Sequence, residues 1–160
     1  MNSYECSEKF VRYGNDFLRR NNIDARIEQL PVNYVPDIIR KYDGIIIGWG
    51  SYTHIHGRIN RIGFLKKFKP FCQKGTHIMI SFYTKEGSGK EDKIVNGVSN
   101  FFRCLTFRPR TEYGDMLRSY FAHCFNREEI ESELNQAGFR MLEYYDEEYG
   151  CAVGVWEVTG

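Results

Sequence analysis

The sequence predicts an α/β domain built on a mostly parallel sheet whose last strand is antiparallel. Helix-period and strand-period segments alternate from one end of the 160 residues to the other, with no Pro/Gly/Ser-rich linker and no internal repeat, so a single domain over 1–160 is expected. The run Tyr42-Asp43-Gly44-Ile45-Ile46-Ile47-Gly48 is nearly continuous in apolar residues and bounded by glycine, as expected of a parallel strand buried on both faces at the sheet centre. The acidic turn between the final two strands is too short for a crossover helix, which makes the last strand antiparallel to its partner.

Each element has a local reason. After Ser7, Phe10, Tyr13, Phe17 and Leu18 recur at helical spacing, and Asn21-Asn22 supplies a stop. Ala25 to Val32 reads as a strand closed by Pro31, and a connection through Ile38 and Ile39 leads to the central strand. Ile59, Ile62, Leu65 and Phe68 mark a second helix, terminated by Pro70 and Gly75, and Thr76 to Phe82 gives a second buried strand. Gly87 to Gly89 forms a turn, followed by a helix through Ile94, Val98, Phe101 and Phe102. Residues 106–125 are poorly patterned and read as a lid or irregular insertion. Asn126 with Glu129 three residues later starts a capped helix carrying Ile130, Leu134 and Ala137 on one face and ending at Gly138. Phe139 to Tyr145 and Ala152 to Val158 are the closing strands.

Composition narrows the function classes. Hydrophobic residues make up 42% and charged residues 27%, which sets aside a disordered chain. The 22 Lys and Arg balance 21 Asp and Glu, so binding to nucleic acid by bulk electrostatics is not expected. The longest apolar stretch, Ile45 to Trp49, is far short of the roughly 20 residues of a membrane span. The N-terminal MNSYECSEKF lacks a basic lead and an apolar segment, so no secretory signal is expected. Five cysteines with no CxxC pair suit reduced thiols in a cytoplasmic protein. Aromatics reach 16%, more than a core of this size needs, and some of them are expected to line a pocket.

Most motifs are empty. Gly48-Trp49-Gly50 follows a buried strand, but Thr53 stands where a dinucleotide site has its third glycine and no acidic residue falls about 20 positions on. Gly87-Ser88-Gly89-Lys90 fails as a phosphate loop because Glu91 replaces Ser or Thr and Thr84 replaces the leading glycine. His54 and His56 alternate, yet no Asp, Glu or Cys lies near to complete a metal set, and no metal is expected. No nucleophile elbow accompanies them. The lysines and arginines from Arg58 to Lys74 read mostly as the solvated face of a helix. What remains is Gly48-Trp49-Gly50-Ser51-Tyr52-Thr53-His54, which gathers glycine, aromatic, hydroxyl and imidazole groups at a carboxyl strand end. Ligands bind there in open parallel sheets. The alternative is that Trp49 and Tyr52 only cap the core.

Four segments together resemble a known family. YECSEKFV at 4–11 looks like the end of a second strand whose acidic residue is followed two places later by Ser or Asn. YDGIIIGWGSYTHI at 42–55 looks like a fourth strand with its loop, and FLKKFKPFCQKGTHIMISF at 64–82 like the helix, glycine turn and fifth strand after it. FNREEIESELNQAGFRMLEYY at 125–145 is similar to a late helix with an Ala-Gly-Phe ending and the sixth strand. In this order they resemble an S-adenosylmethionine-dependent methyltransferase of the Rossmann-like class. The resemblance implies a three-layer Rossmann-like sandwich with the methyl donor at the carboxyl ends of the strands. Position by position, it implies that Glu5 accepts hydrogen bonds from both ribose hydroxyls, that Cys6 lies beside the adenine and Asn33 near its amino group, and that the turn Gly48, Trp49 and Gly50 flanks the methionine part.

The family's first strand and glycine-rich turn should precede Glu5, so the resemblance also implies an N-terminally truncated fold, or one in which a homodimer or a partner chain supplies the strand. In a complete site, Tyr52 or His54 orients or deprotonates the acceptor, with His123 as a second candidate base. The balanced charge and the aromatic lid-like segment favour a small-molecule acceptor. The competing expectation is a non-catalytic methyltransferase-like remnant that acts by association through its incomplete sheet edge.

Overall fold

The computed structural model describes residues 2–37, 40–85, 112, 114–117, 120–147 and 149–157. The chain packs as two compact units, Met1–Ile39 and Arg40–Gly160. The turn expected at Gly87 to Gly89, the helix through Ile94 to Phe102 and the start of the 106–125 segment lie outside the described residues.

In the first unit, β1 (Ser3–Glu5) pairs in parallel with β2 (Ile27–Gln29), joined through α1 (Glu8–Arg20). Ser7 caps α1 by accepting from the Phe10 N–H, and Arg19 and Arg20 sit in the last turn, where the helix dipole favours cations. Asn15 holds the helix to β2: its amide donates to the Ile27 carbonyl at 2.8 Å and its oxygen accepts from the Ile27 N–H at 2.9 Å. Gly14 lets the helix lie close against the Ile27 side chain, whose Cδ1 would have to shift to admit a Cβ there. The aromatic stripe of α1 does not enter a core. Phe10, Tyr13 and Phe17 are 63%, 57% and 61% exposed, and no described residue of this unit is buried.

The second unit is a mixed sheet organised on one long strand. Its elements are β3 (Tyr42–Ile47), a 3-10 turn (Ser51–His54), α2 (Arg58–Lys66), β4 (Cys72–Thr84), β5 (Asp115–Leu117), β6 (Phe121–Phe125), α3 (Arg127–Ala137), β7 (Phe139–Tyr145) and β8 (Gly150–Trp156). β4 runs parallel to β3, with Ile80 opposite Ile47, and parallel to β6, with Tyr83 opposite Cys124. It is antiparallel to β8, which is antiparallel to β7, so the expected reversed last strand is present. Ile78, Ile80 and Phe82 of β4 alternate onto one face and are fully buried with Leu65 of α2 and Ile130, Leu134 and Ala137 of α3. Burying side chains of this kind is worth roughly 1.5–3 kcal/mol each. The predicted capping box is formed: Asn126 accepts from the Glu129 N–H at 2.8 Å, Glu129 accepts from the Asn126 N–H at 3.0 Å, and Gly138 closes the helix at φ 93°.

Two expectations change. β3 is not buried on both faces: among the described residues it pairs with β4 alone, and Ile46 is 73% exposed while Ile47 is buried. The centre of the sheet is β4, whose neighbours on both edges supply the burial that apolar composition alone assigned to β3. The stretch from Asp115 to Phe125, read as irregular, contains the antiparallel pair β5–β6, with Asp115 opposite His123. Its polar interior, described below, is what hid the strand pattern.

Candidate functional site

The loop after β3 is a tight turn tied to the end of β4. The Gly48 carbonyl accepts from the Ser51 N–H at 3.1 Å and from its hydroxyl at 2.7 Å. Both central residues, Trp49 at φ 57° and Gly50 at φ 64°, are left-handed. The Gly50 N–H donates to Ser81 Oγ at 2.7 Å, and the Tyr83 N–H to Thr53 Oγ1 at 2.7 Å, so two β4 residues fix the loop. Glycine suits the left-handed position, whereas a bulky residue there costs on the order of 1–2 kcal/mol. Trp49 carries that strain with its side chain fully exposed.

The three candidate catalytic residues separate. Tyr52 is fully buried; its ring stacks on Phe125 with centroids 5.4 Å apart and its hydroxyl donates to Glu133 Oε2 at 2.6 Å. Burial pushes its pKa well up and the adjacent Glu133 charge adds to the rise. Tyr52 is therefore corrected from a catalytic candidate to a core residue. Its partner lies 81 positions away, beyond any local pattern.

His54 is exposed, with Nδ1 3.0 Å from the Phe121 carbonyl oxygen. A carbonyl only accepts, so Nδ1 carries the proton and Nε2 is left as an acceptor. Tyr83 and Tyr120 meet the ring edge-on at 5.9 and 6.0 Å. His56 packs instead on Phe121 at 4.6 Å, so the two histidines are held by different contacts.

His123 belongs to a buried polar network. Its Nδ1 is 2.7 Å from Asp115 Oδ1, its ring lies 4.5 Å from Phe125, and Nε2 makes no hydrogen bond among the described residues but sits 4.0 Å from Glu129 Oε1. Beside it, Arg61 binds Glu133 through Nη2 at 2.7 Å and through Nε at 3.1 Å, and Glu112 at 2.8 Å. Glu112 also accepts from the Arg58 N–H, and its own N–H donates to Asp115. Burial raises the pKa of Glu112 and Asp115, but this is outweighed: Arg58 N–H and Arg61 hold Glu112 below the usual range, and His123 and the Glu112 N–H do the same for Asp115. The network ties the β5–β6 hairpin to α2 and α3.

Arg61 corrects the expectation of a solvated basic face, since its side chain is 2% exposed and its partner Glu133 1%. The signal was present: Arg61 lies four residues before Leu65, and Glu133 four before Ala137, both on apolar stripes. Donor atoms of Glu112, Asp115 and His123 lie within 4.8 Å of one another, a spacing that could take an ion. However, Arg61 already supplies the positive charge, and Asp115 is engaged by His123.

In the first unit, Glu5 is half-buried at the end of β1, where Oε1 accepts from the Ser7 N–H at 2.8 Å and the Cys6 thiol at 3.3 Å. Cys6 is exposed, and Asn33 is exposed at φ 62°. In the second unit, a Cβ on Gly48 would meet nothing nearer than Ile46 Cγ2 at 4.0 Å, so its backbone is open to close approach.

No family model and no curated relative matches the chain. Solved structures do. The chain is similar to an S-adenosylmethionine-dependent methyltransferase from Clostridium acetobutylicum, at 10% identity and a TM-score of 0.67, covering 97% of this chain and 74% of that one. It is similar to a SAM-dependent methyltransferase from Methanosarcina mazei at 12% identity and a TM-score of 0.73, covering 97% and 81%. A third likeness is to 1,6-didemethyltoxoflavin-N1-methyltransferase from Burkholderia thailandensis, solved with 1,6-didemethyltoxoflavin and S-adenosylhomocysteine, at 13% identity and a TM-score of 0.65, covering 97% and 60%. The fold is that of the Rossmann-like methyltransferases, as the four sequence segments implied. The matched chains are longer than this one.

Proposed function

We propose that the chain is one methyltransferase-like domain that binds S-adenosylmethionine and transfers its methyl group to a small-molecule acceptor. The likeness of fold over 97% of the chain carries this reading. When bound, the sulfonium supplies an electrophilic methyl carbon, and enzymes promote its in-line displacement mainly by positioning and electrostatics. Within the first unit, Glu5 is the acceptor for ribose hydroxyls, with Cys6 and Asn33 toward the adenine. Within the second, the Gly48-Trp49-Gly50 turn flanks the aliphatic part. His54 takes the catalytic role: its Nε2 lone pair, fixed by the Nδ1 bond to Phe121, accepts the proton of the acceptor's nucleophile. His123 is a positioning residue that holds β6 through Asp115. No helix among the described residues is long and apolar enough to cross a membrane.

The test is methyl transfer from labelled S-adenosylmethionine to a panel of small hydroxyl and amine acceptors. Transfer that drops at least about 100-fold in His54→Gln supports the assignment. Transfer unchanged by that substitution removes His54.

The open edge of β3 favours a second reading, in which the chain acts by association. Among the described residues β3 pairs with β4 alone and Ile46 is 73% exposed, and an edge strand of this kind is a template for pairing with a homodimer partner or another chain. Under this reading S-adenosylmethionine does not bind the 160-residue chain, and the chain self-associates or captures a strand.

A further inference from the structure

We infer that His123 is a proton-dependent clamp: with both ring nitrogens protonated it ties β5 to the first turn of α3, and loss of the Nε2 proton loosens β6 and the loop that β6 braces. The His123 side chain is 1% exposed, and its Nδ1–H donates to Asp115 Oδ1 at 2.7 Å. Nε2 is buried as well and has no hydrogen-bond partner among the described residues. A carboxylate oxygen faces it, Glu129 Oε1 at 4.0 Å. A bare lone pair on Nε2 is therefore a buried acceptor turned toward negative charge, whereas an Nε2–H is a donor turned toward an acceptor. Adding the proton converts a repulsion into an attraction at the same distance.

The charges packed around the ring favour the same state. Asp115 of β5 and Glu112 just before that strand lie on the Nδ1 side, Glu112 Oε2 at 4.0 Å, and Glu129 of α3 lies on the Nε2 side. Arg61 of α2 binds Glu112 and the buried Glu133 of α3, so among these groups four carboxylates share one guanidinium. The Arg58 guanidinium is turned to Ser132 Oγ, and His56 helps keep Asp115 ionised. Tyr83 and Thr84 of β4, the residues that pair with β6, carry no charge at neutral pH. Strand β6 passes the state of the clamp to the loop after β3. The His123 ring meets Phe125 at 4.5 Å, and Phe125 stacks on Tyr52 at 5.4 Å. Two residues before His123, the Phe121 carbonyl accepts from His54 Nδ1 at 3.0 Å. Histidine is the side chain whose ordinary charge change falls between pH 5 and 8, so the clamp closes toward the acid end of that range and opens toward the alkaline end.

An effect on catalysis rests on His54 as the base of the methyl-transfer reading. The clamp itself does not, so it is measured without S-adenosylmethionine. Long-range proton–nitrogen NMR of the imidazoles, assigned with His54→Gln and His123→Gln, is followed from pH 5 to 8. Nε2 of His123 should gain its proton within this range, and the Phe121 and Tyr52 amide signals should move at the same midpoint. His123→Gln should remove that component of their movement. Glu129→Gln keeps an acceptor for the Asn126 N–H but loses the charge, and should weaken proton binding at Nε2 at least about 5-fold, the effect of one charge at 4 Å even in water. Glu131→Gln, the same change at an exposed position on α3, should alter it less than about 2-fold. An Nε2 that stays unprotonated down to pH 5, proton binding indifferent to Glu129→Gln, or amide signals that ignore His123 overturns the inference. Methyl-transfer assays then separate the two ideas: titration as expected without transfer keeps the clamp and removes its catalytic consequence, while transfer without the titration keeps the enzyme and removes the clamp.

Discussion

Replacing Glu133 by Ala strips Arg61 of its main counter-ion and the Tyr52 hydroxyl of its acceptor in one step. Arg61 and Glu133 are 2% and 1% exposed, their shortest contact is 2.7 Å, and the Tyr52 bond to the same carboxylate is 2.6 Å. Breaking one side of a buried pair of this kind costs about 3–5 kcal/mol, because a desolvated charge is left behind. For a chain of this size each kcal/mol lowers Tm by roughly 2–4 °C, so Glu133→Ala should melt roughly 6–20 °C below the parent. The double replacement Arg61→Met with Glu133→Leu removes both charges and fills the space, and should recover the part of the loss that comes from the unpaired Arg61, while the Tyr52 hydroxyl still lacks its acceptor. Glu112 tolerates it because it keeps the Arg58 N–H and is a third exposed. Thermal unfolding followed by circular dichroism on the parent, Glu133→Ala, the singles Arg61→Met and Glu133→Leu and the double variant reads the coupling. A loss under about 1 kcal/mol for Glu133→Ala, or strictly additive single effects, would refute the buried-network argument.

Tyr52→Phe should lower stability by about 1.5–3 kcal/mol through loss of a hydrogen bond to a charged group, yet leave methyl transfer by the folded protein unchanged in a kinetic assay. Asp115 and Glu112 have depressed folded-state pKa values, so their contribution is present above the unfolded carboxylate range and is lost as pH falls through the folded values. Asp115→Asn should accordingly flatten the acid limb of a stability-against-pH curve, and an unchanged limb counts against the His123 contact. Ile46→Lys, at a 73% exposed edge position, should leave stability within about 0.5 kcal/mol of the parent while suppressing any self-association seen by size-exclusion chromatography.

How much of this was legible in sequence depends on whether the cause was local. The capping box at Asn126 and Glu129, the left-handed stop at Gly138 and the reversed last strand depend on spacing within a few residues, and all are present. The loop after β3 was located from its glycine and aromatic content, and its tight turn stands at the carboxyl end of that strand. What composition could not convey is which strand has two neighbours. Ile45 to Ile47 is as apolar as a central strand, yet burial belongs to β4, which gathers β3, β6 and β8 from distant parts of the chain. The site suffered in the same way. Tyr52 reads as a pocket tyrosine until Glu133, far along the chain, claims its hydroxyl, and β5–β6 reads as irregular because Asp115 and His123 face a charged interior instead of an apolar one. Arg61 and Glu133 on apolar helix stripes were the overlooked signal, since two opposite charges out of place on two helices are most simply explained by each other.

The most direct measurement is isothermal titration of S-adenosylmethionine into the 160-residue chain and its Glu5→Ala variant. The account predicts saturable, micromolar, one-to-one binding by the parent and a loss of about 10-fold or more in the variant, since a carboxylate bond to ligand hydroxyls is worth about 1.5–3 kcal/mol. No heat from the parent at millimolar ligand would contradict it and leave association through the β3 edge as the function to pursue.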